Sequence, residues 1–230
     1  MSASVGLPVG GDSRSTVAET LRDILDAAAR GVFPPPDGRT TVVPQPSPRD
    51  AGVLAFTAHA VVFVDEDPRW VYDTLRATPT DALSAPMNAR FLTALMDRTG
   101  REHETIDALL VAGPLPGRPE LPLTELTELT GPGHSRVAYA HGRRDEVRAW
   151  ATEGGVLVLG RGVAGRLEVS VEVDEGVRRR GLGRALVTAA RQLADEPLWA
   201  QVAPGNARST RAFQAAGYVP IGAEALLLKA

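Results

Sequence analysis

Residues 178–184 read Arg-Arg-Arg-Gly-Leu-Gly-Arg, which gathers four guanidinium groups and two glycines into seven positions. Such a run can cradle a polyanion. Glycine lets backbone N–H groups approach a phosphate closely, and arginine adds charge-assisted hydrogen bonds in a planar fork. Two carboxylates stand shortly before it, Glu168 and Glu172, with Ser170 between them. At strand spacing all three share one face. They can meet a cleft as proton acceptors, or they can sit on a solvated face paired with neighbouring arginines. By itself the arginine run also suits an ordinary strand–turn–helix junction.

The flanking segments narrow the choice. Leu167–Val173 alternates strictly and reads as a strand, while Leu182, Ala185, Leu186, Ala189, Ala190 and Leu193 recur at helical spacing. The loop therefore closes on a helix N-terminus, where roughly half a positive charge adds to the side chains. A dinucleotide fingerprint fits poorly, because Gly181-Leu182-Gly183 is followed by Arg184-Ala185-Leu186 without a third glycine. A P-loop is excluded: no Gly-Lys-Ser/Thr occurs, and Lys229 is the only lysine. Leu198–Ala203 reads as a second short strand, ended by Pro204-Gly205. Asn206 then caps a short helix carrying Ser209, Ala212, Phe213 and Ala216 to one side, and Gly217 stops it. Two apolar runs, Tyr218–Ile221 and Ala225–Leu228, read as two closing strands around Gly222, with Pro220 weighing against the first.

In this order and spacing, residues 144–230 resemble the GNAT superfamily of N-acetyltransferases. The resemblance rests on the Arg/Gln-x-x-Gly-x-Gly/Ala loop, here Arg178 to Gly183, with its strand and helix, and on the Asn206 helix ending in Gly217-Tyr218. It implies an α/β (α+β) fold, a mixed, mostly antiparallel twisted sheet flanked by helices, here with an N-terminal α/β extension. It also implies acetyl-CoA as co-substrate. Its pyrophosphate would lie on the backbone of Arg178, Arg179, Arg180, Gly181, Leu182, Gly183 and Arg184, with the arginines adding charge. The pantetheine arm would pair with the backbone of Val171, Glu172 and Val173, one N–H polarising the thioester carbonyl. Asn206 matches a position that contacts pantetheine, and Ser209 and Phe213 on the same helix complete the implied cofactor-binding set.

The implied proton machinery departs from the family pattern. A base is needed because an alkyl amine near pKa ~10 is mostly protonated at neutral pH. The family's frequent glutamate on the strand Leu198–Val202 is matched by Gln201, and its tyrosine seven residues after the asparagine is matched by Phe213. Glu168 and Glu172 are therefore the bases expected from sequence, with His134, His141 and Glu224 as further possibilities. No metal site is expected, since the chain has no cysteine and its four histidines are scattered.

Composition sets the outer bounds. The 230 residues suffice for one large or two small domains, and the net charge of −3 makes the basic loop local rather than part of a nucleic-acid surface. Neither a membrane-length apolar run nor a signal-like start occurs, so a cytoplasmic protein without membrane or nucleic-acid partners is expected. The absence of cysteine is consistent with that compartment.

The first half is less specific. Residues 1–14 read as disordered. Thr16 and Glu19 form a capping box for a helix bearing Val17, Leu21, Ile24, Leu25 and Ala28, closed by Gly31. Six prolines make Phe33–Arg49 an extended connector, and Val53–Val64 reads as one strand. Helices are expected over 67–77 and 84–99, then a strand over Ile106–Val111. His134–Tyr139 and Glu146–Trp150 read as the strands that open the C-terminal core. Two organisations follow. Either 15–130 supplies the first strand and acceptor-side helices of one enlarged domain with 131–230, or it forms a separate α/β lobe.

The expected function is transfer of acetyl from acetyl-CoA to a primary amine of a small molecule or peptide. The alternatives are a catalytically silent acyl-CoA-binding protein and, from the loop alone, a nucleotide-binding module.

Overall fold

Strict alternation in Leu167–Val173 does produce a strand, and that strand lies inside a sheet built from both halves of the chain. The computed structural model describes residues 19–126 and 134–229. In chain order the elements are α1 (Leu21–Ala29), β1 (Arg39–Val43), β2 (Ala51–Phe56), β3 (His59–Phe63), α2 (Pro68–Ala77), α3 (Ala89–Thr99), β4 (Arg101–Ala112), β5 (Thr124–Leu126), α4 (Ser135–His141), β6 (Asp145–Thr152), β7 (Gly155–Arg161), β8 (Leu167–Val173), α5 (Leu182–Leu193), β9 (Leu198–Val202), α6 (Ala207–Ala215) and β10 (Val219–Lys229). The sheet order is β1-β3-β2-β10-β4-β9-β8-β7-β6-β5. Only β1/β3 and β8/β9 are parallel, so the sheet is mixed and mostly antiparallel.

Residues paired directly across strands share a face, which sorts the helices into two layers. On one face α5 and α6 pack over Leu110, Leu157, Val169 and Ala200, while α2 and α3 pack over Val53, Val62 and Ala225. On the other, α1 covers Leu54, Val61, Leu109 and Trp199, and α4 covers Ala149, Val156 and Val158. Between α1 and α4 the second face turns polar: Ser170, Glu168, Gln201, Asp107 and Glu224 follow one another across four neighbouring strands. Each helix buries an apolar stripe, so burial rather than intrinsic propensity holds these short helices.

Several local expectations change. Thr16 lies outside the described residues, and the capping box forms instead at Thr20 and Asp23, whose side chain and backbone bonds are reciprocal. Val53–Val64 is a hairpin, not one strand: Thr57 and Ala58 turn, with Ala58 at φ 53°, and β2 pairs with β3. His134–Tyr139 is not a strand. His134 caps α4, its Nδ1 accepting from Arg136 N–H at 3.2 Å, and the Val137/Ala140 stripe buries that helix. The proline-rich connector contains β1, which pairs with β3 along Thr40, Thr41 and Val42. The two closing runs are one strand, β10, that absorbs Pro220 and Gly222 at a bulge. Gly222 is needed there, since a Cβ would stand 2.2 Å from the Ala55 carbonyl oxygen. The place between β9 and β10 is filled by β4, so the first half inserts a strand into the centre of the sheet. No helix among the described residues is long and apolar enough to cross a membrane.

Candidate active site

The arginine loop turns sharply before α5. Arg179 and Gly181 hold φ of 68° and 85°, and Gly181 is the helix N-cap without any side-chain cap. The first helical bond runs from Ala185 N–H to Gly181 O at 3.0 Å. The N–H groups of Leu182, Gly183 and Arg184 therefore face outward at the positive end of the helix dipole. Arg178, Arg179, Arg180 and Arg184 are exposed around them, and none makes an ion pair among the described residues. Arg178 Nε donates to Val173 O at 3.1 Å, tying the loop to the end of β8 and occupying one carbonyl of that strand.

Beside this loop the sheet opens. β8 keeps register with β7 over its full length, from Leu167↔Arg161 to Val173↔Gly155. With β9 it pairs only at Leu167↔Leu198 and Glu168↔Trp199, after which the strands part. Val169–Val173 thus presents a strand edge toward a wedge that runs to the N-terminus of α5. Asn206 sits exposed, its Oδ1 accepting from Ser209 N–H at 3.1 Å to cap α6. Phe213 does not belong to this surface. It is buried edge-on against Tyr218, ring centroids 4.9 Å apart, because α6 needs an apolar anchor on the sheet.

On the opposite face, the polar residues between α1 and α4 form a linked ion network. Glu168 is buried; its carboxylate accepts from Arg144 Nε at 2.9 Å, Arg166 Nε at 2.8 Å and Val163 N–H at 3.3 Å. Arg144 Nη1 also donates to Ser170 Oγ at 3.1 Å. Arg166 Nη2 donates to Glu224 Oε2 at 2.7 Å, and Gln201 Nε2 donates to the same oxygen at 2.6 Å. Burial alone would raise the Glu168 carboxyl pKa, but the two guanidinium charges overcome it and hold the group below the usual carboxylate range. Glycine is required at 162, since a Cβ would fall 2.1 Å from the Glu168 carboxyl carbon.

This corrects the bases expected from sequence. Glu168 is locked as a structural carboxylate holding two arginines, and removing its charge would leave Arg144 without its ion pair and Arg166 with Glu224 alone. Glu172 is half-buried and pairs with Arg136 Nε of α4 at 3.4 Å. The polar residues of β8 are each engaged by an arginine: Glu168 and Ser170 by Arg144, and Glu172 by Arg136. His134 is spent as a cap, and Glu224 is buried behind the network.

A cavity of about 270 Å³ opens over the same network. Its floor is Glu168, Gln201 and Asp107, and its walls include Gly162, Val163, Tyr139 and the Gly142–Arg144 turn after α4. Asp107 is the group sequence reasoning missed. It lies in β4, directly opposite Glu224 of β10. Its Oδ1 and Glu224 Oε1 are both buried without a hydrogen-bond partner among the described residues. Burial, and then the Glu224 charge, push its pKa up to about 6. The sequence signal was faint: one acidic residue in the otherwise apolar run Ile106–Val111. A larger cavity, about 490 Å³, lies at the far edge beside β1. There His59 bridges Asp37 at 2.8 Å and Thr41 at 2.9 Å. Both its ring nitrogens are engaged, so it pins the 33–38 segment rather than serving the wedge.

Residues 131–218 match the family model described as Acetyltransferase (GNAT) family. No curated protein matches the chain in sequence. Among solved structures, an acetyltransferase assigned to the GNAT family from Novosphingobium aromaticivorans is 20% identical, with TM-score 0.43, and covers 56% of this chain and 66% of its own. A GCN5-related N-acetyltransferase from Kribbella flavida is 19% identical, with TM-score 0.41, over 60% of this chain and 63% of its own. A GNAT-family acetyltransferase from Colwellia psychrerythraea is 6% identical, with TM-score 0.42, over 77% and 81%. The chain thus spans just under two thirds of the length of the first two.

Proposed function

We propose that this protein, whose residues 131–218 match the acetyltransferase (GNAT) family model, is an N-acetyltransferase that moves an acetyl group from acetyl-CoA to a primary amine of a small molecule or peptide. The observation that carries this reading is the parting of β8 from β9 next to an uncapped, arginine-ringed helix N-terminus. Those residues fit the donor. The outward N–H groups of Leu182, Gly183 and Arg184, with Arg178, Arg179, Arg180 and Arg184, suit a pyrophosphate and a ribose phosphate. The Val169–Val173 edge offers strand-like hydrogen bonds to an amide-bearing arm. When bound, acetyl-CoA supplies an activated acyl carbon with a thiol leaving group. A β8 N–H directed into the wedge polarises the acyl carbonyl, and the cavity over Gln201 and Asp107 admits the acceptor from the α4 side.

A second reading, a silent acyl-CoA-binding protein, is favoured by one fact: Phe213 is buried and offers no acid near the wedge. A thiol near pKa ~8.5 leaves without a dedicated acid, so that fact does not decide against catalysis. Calorimetric titration with acetyl-CoA, CoA and NAD tests the donor, with acetyl-CoA and CoA expected to bind and NAD not. Thiol release across an amine panel then tests transfer. Acetyl-CoA binding with no release for any amine would favour the silent reading, and no binding would remove both.

A further inference from the structure

We propose that Asp107, opposed across the β4–β10 ladder by Glu224, forms the acceptor subsite of this cavity: it receives the acceptor as an ammonium ion and takes its proton. The acyl donor in this proposal rests on the acetyltransferase reading above.

Charge pairing singles out this place. Around the cavity, Arg49 is committed to Asp50 and Asp145, and Arg143 to Glu104 while stacked on Tyr139. Arg144 and Arg166 offset Glu168 and Glu224 two for two. Asp107 makes no ion pair among the described residues, and Lys229 at the far end of β10 is the one cavity-lining cation that makes none there either. Its Oδ1 and Glu224 Oε1 are two buried acceptors lacking a donor, on residues that are cross-strand partners. A halide or a carboxylate ligand would leave them so, and a hydroxyl would supply a donor without the charge. An ammonium group brings up to three donors and a positive charge to the Asp107 carboxylate, which no cation pairs among the described residues.

Position supports the same assignment. Gln201 ties Glu224 to β9, the strand that borders the wedge; Asp107 on β4 sits one strand from the parting of β8 and β9, and Glu224 on β10 two. The groups facing Asp107 are Glu224 from β10, His103 and Glu104 on its own strand, Gln201 from β9, and Arg143 and Arg144 from the turn after α4. Burial and Glu224 outweigh the opposing pull of His103 and leave Asp107 titrating at about 6. It is ionised at neutral pH yet more basic than an ordinary carboxylate.

The acceptor R–NH₃⁺ gives one proton to the Asp107 carboxylate, which releases it to solvent through the cavity mouth. The neutral amine forms the N–C bond as the C–S bond breaks. The surplus proton on nitrogen passes to the emptied Asp107 carboxylate, and the thiolate takes one from solvent. The sum is R–NH₃⁺ plus acetyl thioester giving R–NH–acetyl, thiol and one proton.

The test uses the full chain, acetyl-CoA, and ethanolamine, putrescine, glycinamide and a Ser-Ala-Gly peptide amide as amines. Log kcat/KM for the amine should rise with slope near two below pH 6 and near one above it. In Asp107→Asn it should fall about 100-fold at pH 7.5 and keep slope one throughout, with the calorimetric Kd for acetyl-CoA within twofold of the unsubstituted protein. Asp107→Ser should behave alike, which guards against a folding defect peculiar to one variant. Carboxyl ¹³C NMR supplies a readout without turnover. One resonance, lost in Asp107→Asn, should titrate near pH 6, move lower in Glu224→Gln, and shift on adding ethanolamine or putrescine at pH 7. Asp107→Asn within threefold of the parent with an unchanged pH profile overturns the proposal and leaves the acetyltransferase reading standing. So does a resonance titrating near 4 or indifferent to every amine. Failure of acetyl-CoA to bind the parent overturns the donor reading instead, and the NMR arm still judges Asp107.

Discussion

Arg166 and Glu224 meet through a 2.7 Å Nη2–Oε2 contact in which both side chains are about 1% exposed. The contact joins the lead into β8 to the middle of β10 across the central strands, and Arg166 completes it by holding Glu168 with Nε at 2.8 Å. The two carboxylates offset the cost of burying this guanidinium and push its pKa further up.

Removing that arginine should therefore cost far more than removing its van der Waals contacts. Arg166→Met leaves Glu224 and Glu168 short of a partner in the protein interior. An uncompensated buried charge costs about 3–5 kcal/mol, and for a chain of this size about 1 kcal/mol moves Tm by roughly 2–4 °C. Thermal melting followed by circular dichroism should show a fall on the order of 10 °C. A change under about 3 °C would mean the network is not held as the contacts indicate.

The two glycines of the arginine loop should behave differently although they look alike in sequence. Gly181 has φ 85°, a left-handed conformation that costs an L-residue about 1–2 kcal/mol. Gly183 has ordinary helical backbone, and a Cβ there would meet Ala212 Cβ and Val173 Cγ2 at 3.8 Å, which is normal contact. Gly181→Ala should lower stability by about 1 kcal/mol and weaken acetyl-CoA at least fivefold in calorimetry, since the donor N–H groups are re-aimed. Gly183→Ala should change neither beyond about twofold. Equal effects from both would show that crowding against the donor, not backbone conformation, sets the requirement.

The exposed arginines should act through charge. Hydrogen bonds to charged groups are worth about 1.5–3 kcal/mol, less when exposed, so Arg179→Ala and Arg180→Ala should each weaken acetyl-CoA by roughly fivefold. Moving from low to half-molar salt should narrow the gap between each variant and the parent, because solvent-exposed charges are screened within about 10 Å at 0.1 M. A salt-independent gap would point to a packing role instead.

What could be read from sequence follows from how local the cause is. The strand, arginine loop and α5 announce themselves because alternation, glycine placement and helical spacing lie within 27 consecutive residues, Leu167–Leu193. β1 stayed hidden because its polar Arg39-Thr40-Thr41 start sits among prolines, and only pairing with β3 makes it a strand. Ser135–His141 was misread because alternation over so few residues also fits a helix whose single buried stripe is Val137 and Ala140. Glu168 looked like an available base because its partners, Arg144 and Arg166, are identified only when the turns after α4 and β7 fold back on β8. Asp107 could not be linked to Glu224 from sequence, since 117 positions separate them and the β4–β10 ladder alone brings them together.

Asp107 and Glu168 should give stability opposite dependences on pH. For Asp107 the folded pKa, about 6, lies above the ordinary carboxylate value of 3.8. The folded state binds the extra proton, so this contribution is fully present below the unfolded value and lost as pH rises through 6. For Glu168 the folded value is depressed, so its contribution is present above the ordinary carboxylate range and lost as pH falls below it. Asp107→Asn keeps the side chain's shape while deleting the repulsion with Glu224. It should raise Tm at pH 8 by about 2–4 °C, the shift expected for a gain of roughly 1 kcal/mol, and leave it nearly unchanged at pH 4.5. Glu168→Gln should do the reverse, lowering Tm strongly at pH 8 and progressively less as pH falls below the ordinary carboxylate range, where the parent's own contribution fades. Paired melts of both variants across pH 3–8 check the signs. An Asp107→Asn protein less stable than its parent at pH 8 would mean that the buried carboxylate is held by favourable contacts, and its elevated titration could not then come from Glu224.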